Sequence, residues 1–324
     1  MVVVPDTQSY VKKSCNQGVL ELMFAWIAKN CEPLKIQQVL VTGDLVDQNR
    51  SLILYGQNND QTGPEQWQAV SRAFERLDGV VPYVLSTGNH DYGLTSAQDR
   101  ETSLAKYFPL GRNSKWINVL KECGKNTFGQ YTLENAAYEF ITPNKQKVLV
   151  VSLGFSPTDE AVAWAKNVFN KSQYKDHFGI LLTHSYLGSG ESGVIKKRNY
   201  LLDRNGGNIG TDIHDKLVKE VPNIRLVVCG HISSPDNWRG CVGFRSTKNS
   251  SGKTVHEMLF DPQALGGGWA GNGGDGWIRL LEFSADMKQI KVRTFSPLFA
   301  ISPSTRNLAW HTAHYNEFVM EYKD

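Results

Sequence analysis

Six short apolar runs punctuate the first 231 residues, and most end on or lead within a few residues to a side chain with a metal-binding head. They are "VVV" (2–4), "VLVT" (39–42), "YVLS" (83–86), "VLVVSLGF" (148–155), "GILLTH" (179–184) and "IRLVVCGH" (224–231). Runs of this length without polar alternation read as strands covered on both faces. Helical spacing lies between several of them. Residues 17–29 place Val19, Leu20, Met23, Phe24 and Ile27 on one stripe, Pro64 suits the first turn of a helix running to Leu77 with Gly79 closing it, and Thr158 opens a helix to Phe169. Ile209 to Val221 is a shorter helical pattern. Strand–helix–strand alternation predicts α/β layers around a largely parallel sheet. From Asn237 the helices stop. The segments 241–246, 253–260, 276–284 and 288–295 read as strands in hairpin-like β structure that would supply a second sheet, with the Gly-rich "GGGWAGNGGDG" (266–276) among them. No repeat and no linker interrupts the chain, so one domain is expected over residues 1–324, its α/β part ending near 235 and its mainly β part covering 236–324.

In an open α/β sheet the carboxyl ends of parallel strands share an edge, where ligands bind. Five runs aim polar groups at that edge: Asp6 and Gln8; Asp44 and Asp47; Asn89, His90 and Asp91; His184; and His231 with Ser233. Each has an ordinary explanation alone, since Asp after a strand often forms a turn and His often packs as structure. Together, two carboxylates, an amide oxygen and two imidazoles suit divalent transition ions such as Mn, Fe, Zn or Co, whereas calcium favours more oxygens.

Composition narrows the partners. With 324 residues, 40% hydrophobic and 21% charged, the chain is long enough for a large core. A formal net charge of +3 and a single tight basic cluster, Lys196-Lys197-Arg198, give no nucleic-acid footprint. No apolar stretch approaches the ~20 residues of a membrane span, and Val2–Val4 is too short and lacks the basic lead of a signal peptide. Five cysteines without a CxxC pair argue against a zinc-thiolate site and a dense disulfide framework, leaving room for one bridge.

The order Asp6-Thr7-Gln8, Gly43-Asp44-Leu45-Val46-Asp47, Gly88-Asn89-His90-Asp91, His184 and Gly230-His231-Ile232-Ser233 resembles the calcineurin-like metallophosphoesterase superfamily, in a branch with Gln after "PDT". The resemblance covers roughly residues 2–235. It implies a four-layer α/β/β/α sandwich and a two-metal site. Asp44 would bridge two divalent ions, Asn89, His184 and His231 would complete one site, and Asp6, Gln8 and Ser233 the other. It further implies His90 as general acid. The family usually carries His where this chain has Gln8 and Ser233. An amide oxygen and a hydroxyl are weaker donors than imidazole for a transition ion, so unequal ion affinities are expected, with Ser233 a weak or water-bridged ligand. Asp47 is expected to support the ligands from outside, and Asp91 to fix the His90 tautomer or brace its loop.

The expected activity is hydrolysis of a phosphomonoester or phosphodiester carried by a small molecule, lipid or nucleotide. Arg198, Arg239, Arg245, Tyr186, Asn199, Tyr200 and Gln263 are candidates by residue type for the substrate pocket. A nuclease or cyclic-nucleotide-type diesterase would use the same chemistry, with Trp238 or Trp269 stacking a base. A non-catalytic metal- or carbohydrate-binding envelope protein is the contrasting class, kept open by Gln8 and Ser233. The branch resemblance and the Gln/Asn-rich loops point towards an extracytoplasmic location, with an upstream signal absent from this chain.

Overall fold

The computed structural model describes residues 1–54 and 59–323. In chain order the strands are β1 (Val2–Val4), β2 (Val39–Val41), β3 (Tyr83–Leu85), β4 (Leu120–Lys125), β5 (Tyr131–Ile141), β6 (Lys147–Ser152) and β7 (Phe178–Leu182). They continue as β8 (Ile224–Cys229), β9 (Val242–Lys248), β10 (Thr254–Phe260), β11 (Ile278–Phe283), β12 (Gln289–Phe295), β13 (Trp310–His311) and β14 (Phe318–Glu321). The described residues form two seven-stranded sheets. One runs β13-β12-β11-β1-β2-β3 with β14 on β12, the other β4-β5-β6-β7-β8-β10-β9.

The apolar runs explain the layering. Along β6, β7, β8 and β10 alternate residues face opposite ways. Val148, Val150, Ile180, Leu182, Leu226, Val228, Met258 and Phe260 join the core shared with the first sheet, while Leu149, Val151, Leu181, Val227, Cys229, Val255 and Leu259 join a second core. Helix Asp159–Phe169 and the segment 210–218 cover that second core. Helices Gln17–Asn30 and Gly63–Phe74 cover the first sheet through Leu20, Met23, Phe24, Ile27, Trp67, Val70 and Phe74. This is the α/β/β/α order. Helix starts follow local chemistry: Thr158 Oγ1 accepts the Ala161 N–H at 3.3 Å, and the Thr62 N–H donates to the Glu65 carboxylate at 2.7 Å just before Pro64.

Two expectations need correcting, and two strands lie outside the sequence reading. The C-terminal strands do not make a sheet of their own. β9 and β10 extend the second sheet beside β8, with β10 parallel to β8, and β11 to β14 extend the first beside β1. Val255, Met258, Leu259 and Phe260 of β10 and Ile278, Leu280 and Leu281 of β11 are buried, which places both strands inside the packed layers. The pattern 209–221 is not one α-helix but a turn, Gly210–Ile213, running into a wider π-turn, His214–Val218, whose Lys219 N–H reaches back to His214 O. β4 and β5 escape the sequence reading because Thr132, Glu134 and Asn135 interrupt the apolar pattern, although all three are buried. All five cysteines are free thiols, so the one bridge left open by their number is not formed. Among the described residues no helix is long and apolar enough to cross a membrane.

Candidate metal centre

β1, β2 and β3 are mutually parallel, as are β6, β7, β8 and β10. Their carboxyl ends meet where the two sheets adjoin. His184, after β7, is fully buried, and its Nδ1 lies 2.9 Å from Thr42 O of the first sheet. A carbonyl only accepts, so Nδ1 carries the proton in that bond and Nε2 faces inward. Around Nε2 lie His231 Nδ1 at 3.1 Å, Asn89 Oδ1 at 3.2 Å and Asp44 Oδ2 at 3.3 Å. Asn89 is held oxygen-inward because its Nδ2 donates to Ser96 Oγ at 3.1 Å. Four candidate ligand atoms from four strand ends thus point at one spot, Nε2 once it has lost its proton, and ligand atoms of Asp44, His184 and His231 lie within 4.8 Å of one another. Such a set is satisfied by a cation.

The turns bring these atoms close. Asp44 has φ +43° and follows Gly43 at φ +112°. Its Oδ1 accepts the His90 N–H at 2.8 Å, and its carbonyl accepts the N–H groups of Thr7 and Gln8 at 3.1 and 2.9 Å, locking the first loop to the second. Gly88 has no room for a side chain, since a Cβ would lie 2.1 Å from Asp44 Oδ1. His231 takes a left-handed φ of +79°, and its N–H donates to Asp6 Oδ2 at 2.9 Å.

Asp6 is fully buried, takes the Thr42 hydroxyl at 2.7 Å and lies 3.9 Å from His184 Nδ1. Burial pushes its carboxyl up to about 6; His184 opposes this and Asp44 adds to it. Burial alone would lower the His184 imidazolium, but Asp44 and Asp6 hold it up to about 10. Burial and the neighbouring His184 push His231 down to about 3. Asp44 lies well below the usual carboxylate range: burial opposes this, and His184 and His90 outweigh it.

Of the other sequence-predicted residues, Gln8 is at the site: its Nε2 donates to Gln263 Oε1 at 3.0 Å, and its Oε1 is buried with no hydrogen-bond partner. Gln263 also belongs here, its Nε2 lying 3.4 Å from Asp6 Oδ2. Ser233 Oγ accepts the Ala264 N–H at 3.1 Å and sits 3.6 Å from Cys241 Sγ. His90 is half-buried, its Nδ1 2.8 Å from Asp47 O. Of the two roles expected for Asp91, the geometry shows the bracing one. It accepts the Gly88 and Val46 N–H groups at 2.8 and 3.1 Å, and the ring of His90 is oriented by the Asp47 carbonyl instead. The Asp47 carboxylate takes Asn59 Nδ2 at 2.9 Å and faces Lys12 at 3.9 Å. Tyr186 is fully buried in the second core beside Glu257 and Arg245, with no face towards a pocket. Arg239 is exposed and stacks on Tyr315 at 5.3 Å. Arg198 is spent on the carbonyls of Asp203 and Gly207. Tyr200 is near: its ring centroid is 5.6 Å from that of His231 and 5.2 Å from Phe155.

Sequence reasoning missed Thr42, which serves Asp6 and His184 at once, and Asp261. Asp261 ends β10, is fully buried, and is bonded by Gln263. Its signal was present, since "LFDPQ" repeats the apolar-run-then-Asp pattern of the other strands.

Comparison with known proteins agrees with the motif order. The chain is 29% identical over 304 residues to the uncharacterized protein YvnB of Bacillus subtilis (strain 168), a match covering 91% of this chain and 20% of that one. The chain therefore spans about a fifth of the length of that relative. Among solved structures it is similar to a dimetal phosphatase from Danio rerio (TM-score 0.49, 11% identity, 93% of this chain and 88% of that one). It is also similar to the purple acid phosphatase PPD1 from yellow lupin, Lupinus luteus (TM-score 0.46, 13% identity, 93% and 49%). The family model for calcineurin-like phosphoesterases matches residues 2–235, well over half of the chain, and the protein belongs to that family.

Proposed function

We propose that this chain is a hydrolase of small-molecule phosphoesters that works with two divalent ions. The observation that carries the reading is the convergence of Asp44 Oδ2, Asn89 Oδ1 and His231 Nδ1 on His184 Nε2 at 3.1–3.3 Å. Asp44, Asn89, His184 and His231 would hold one ion. Asp6, Gln8 and Asp44 would hold the second, and the unpartnered, buried Gln8 Oε1 suits a cation. Ions bound there would supply Lewis acidity towards phosphoryl oxygens and activation of water. The two donor sets differ: two imidazoles favour late first-row ions, while oxygen-only surroundings favour Mn or Mg. One ion should bind tightly and the other more weakly.

The protein's own groups do the rest. A leaving alkoxide needs a proton, and His90 is the residue placed for it. Its Nδ1–H donates to the Asp47 carbonyl, which leaves Nε2 as the nitrogen that holds and delivers a proton to the leaving oxygen. Its backbone N–H meanwhile fixes Asp44, so acid and ligand loop move as one unit. Phe155 packs against both His184 and His231 and keeps water from their far sides.

The test is an activity screen on metal-stripped protein, adding Mn, Zn, Fe, Co, Ca and Mg in turn against chromogenic monoesters and diesters. Turnover restored by one or more ions supports the reading. Tight ion binding without turnover on any ester would overturn it in favour of a non-catalytic metal-binding role.

A further inference from the structure

The guanidinium groups that residue type suggested for a phosphate are engaged elsewhere. Arg245 is paired with the buried Glu257, its Nη2 3.2 Å from Oε1, and Arg239 lies over Tyr315. Arg198 is turned onto its own loop, where it donates to the carbonyls of Asp203 and Gly207 and pairs with Asp212. The buried Asp203 carboxylate takes the backbone N–H groups of Asn199 and Tyr200 at 3.1 and 3.0 Å, and Arg204 Nη2 donates to Asn199 O at 2.8 Å. The segment 198–207 is thus tied to itself, and the side chain it sets beside the ion-binding cluster is Tyr200.

The ring of Tyr200 is held on two sides. It meets Phe155 edge to face, at 89° with centroids 5.2 Å apart, and His231 at 64° and 5.6 Å. It also packs against the small core of Tyr92, Ala97, Phe155 and Leu202. Its position is therefore fixed before any ligand arrives. The residue is half-buried, and its hydroxyl has no hydrogen-bond partner among the described residues. A phenol is protonated at neutral pH, and burial, then the charges of Asp44 and Asp203, push this one further up. It is a donor on a rigid stem beside His231, with nothing in the protein to donate to. A donor already in place where negative charge will sit costs no reordering when that charge arrives. We propose that the Tyr200 hydroxyl donates a hydrogen bond to a non-bridging phosphoryl oxygen of the substrate, as a phosphate-binding group on the His231 side of the site. The inference rests on the phosphoesterase reading above. Every phosphoester, and phosphate itself, carries such an oxygen, so the contact is the same whatever alcohol leaves.

The substitution Tyr200→Phe tests it, since it keeps the ring and its packing and removes only the unpartnered oxygen. Inorganic phosphate is titrated into the Mn²⁺-loaded protein and followed by calorimetry, and kcat/KM is measured on nitrophenyl and alkyl phosphates. The expected result is phosphate affinity and kcat/KM both about 10–100-fold lower, the range for a hydrogen bond to a charged group. The loss should be equal for good and poor leaving groups, with Mn²⁺ affinity and thermal midpoint near those of the unmodified protein. Unchanged phosphate affinity and turnover would overturn the contact while leaving the phosphoesterase reading intact. A loss confined to poor leaving groups would overturn it in favour of proton delivery, and weaker Mn²⁺ binding in favour of a hydroxyl that holds the ion. Failure of the unmodified protein to turn over any ester would overturn both readings.

Discussion

Ion binding should expel one proton at slightly alkaline pH, and His184 is the reason. Burial works against its charge, but Asp44 and Asp6 hold its imidazolium up to about 10. The nitrogen that faces Asp44, Asn89 and His231 is Nε2, while Nδ1–H stays on the Thr42 carbonyl. An ion can take Nε2 only after its proton leaves. Because the folded value is raised, the proton is present at every pH below about 10, and each unit of pH below that point costs about 1.4 kcal/mol. At pH 8 the penalty is about 3 kcal/mol, roughly a hundredfold in apparent affinity. Affinity should therefore climb about tenfold per pH unit from 7 to 9 and level off above 10. Below about 6 a second proton should be displaced, from Asp6. His231, pushed down to about 3, should contribute none. Calorimetric titration in buffers of different ionisation enthalpy counts the protons directly. No proton released at pH 8, with affinity flat between 7 and 9, would refute the reasoning and mean that Nε2 is already free.

Three further outcomes are expected. Gly88→Ala places a Cβ 2.1 Å from Asp44 Oδ1 at an ordinary φ of −102°, so its effect is steric alone; it should cost about 1–3 kcal/mol in denaturant unfolding and weaken ion binding. His90→Asn should leave ion binding near normal and slow turnover by about 10²–10⁴-fold, less for esters of good leaving groups such as nitrophenol; an equal loss across leaving groups would replace the acid role with phosphate positioning. Asp91→Asn sets an NH2 against either the Gly88 or the Val46 N–H, and should cost about 1–3 kcal/mol in thermal or denaturant unfolding, while Asp91→Ala should cost more because both donors lose their partner.

How far the sequence speaks depends on whether a residue's partner is near it in the chain or across the fold. The Gly-Asp and Gly-Asn-His-Asp turns were legible as motifs, although only Gly43 is demanded locally, by its φ, while Gly88 is demanded across the fold by the approach of Asp44. The helices at 17–30 and 159–169 were legible from spacing and caps. What was hidden depends on pairing. Nothing near Thr42 announces that its hydroxyl will serve Asp6 and its carbonyl His184, 142 positions away. Tyr186 illustrates the reverse case. It follows His184 closely and alternation would set both on one face, yet the chain has left β7 at Leu182 and turns Tyr186 into the second core. β5 was missed because its polar residues are bonded internally: Glu134 accepts from Tyr92, Asn126 and Thr132, so it is buried without breaking the strand.

The two halves of the site pose different problems to the chain. Exchanging imidazole for the amide at position 8 leaves the local charge unchanged, because both groups are neutral as ligands. What changes is the donor, a harder oxygen in place of nitrogen, and the manner in which the wrong face is excluded. On the imidazole side a backbone carbonyl, that of Thr42, fixes the nitrogen His184 presents, and a carbonyl can do nothing but accept. On the amide side Gln8 is fixed by Gln263, itself an amide with two interchangeable ends. Gln263 in turn gives its backbone N–H to Asp261 Oδ1 and its Nε2 to Asp261 Oδ2, and burial, with Asp6 beside it, pushes the Asp261 carboxyl well above the usual carboxylate range. Gln8 is thus joined through Gln263 to a buried carboxyl group more than 250 residues away in the chain, just past the end of β10, which runs parallel to β8.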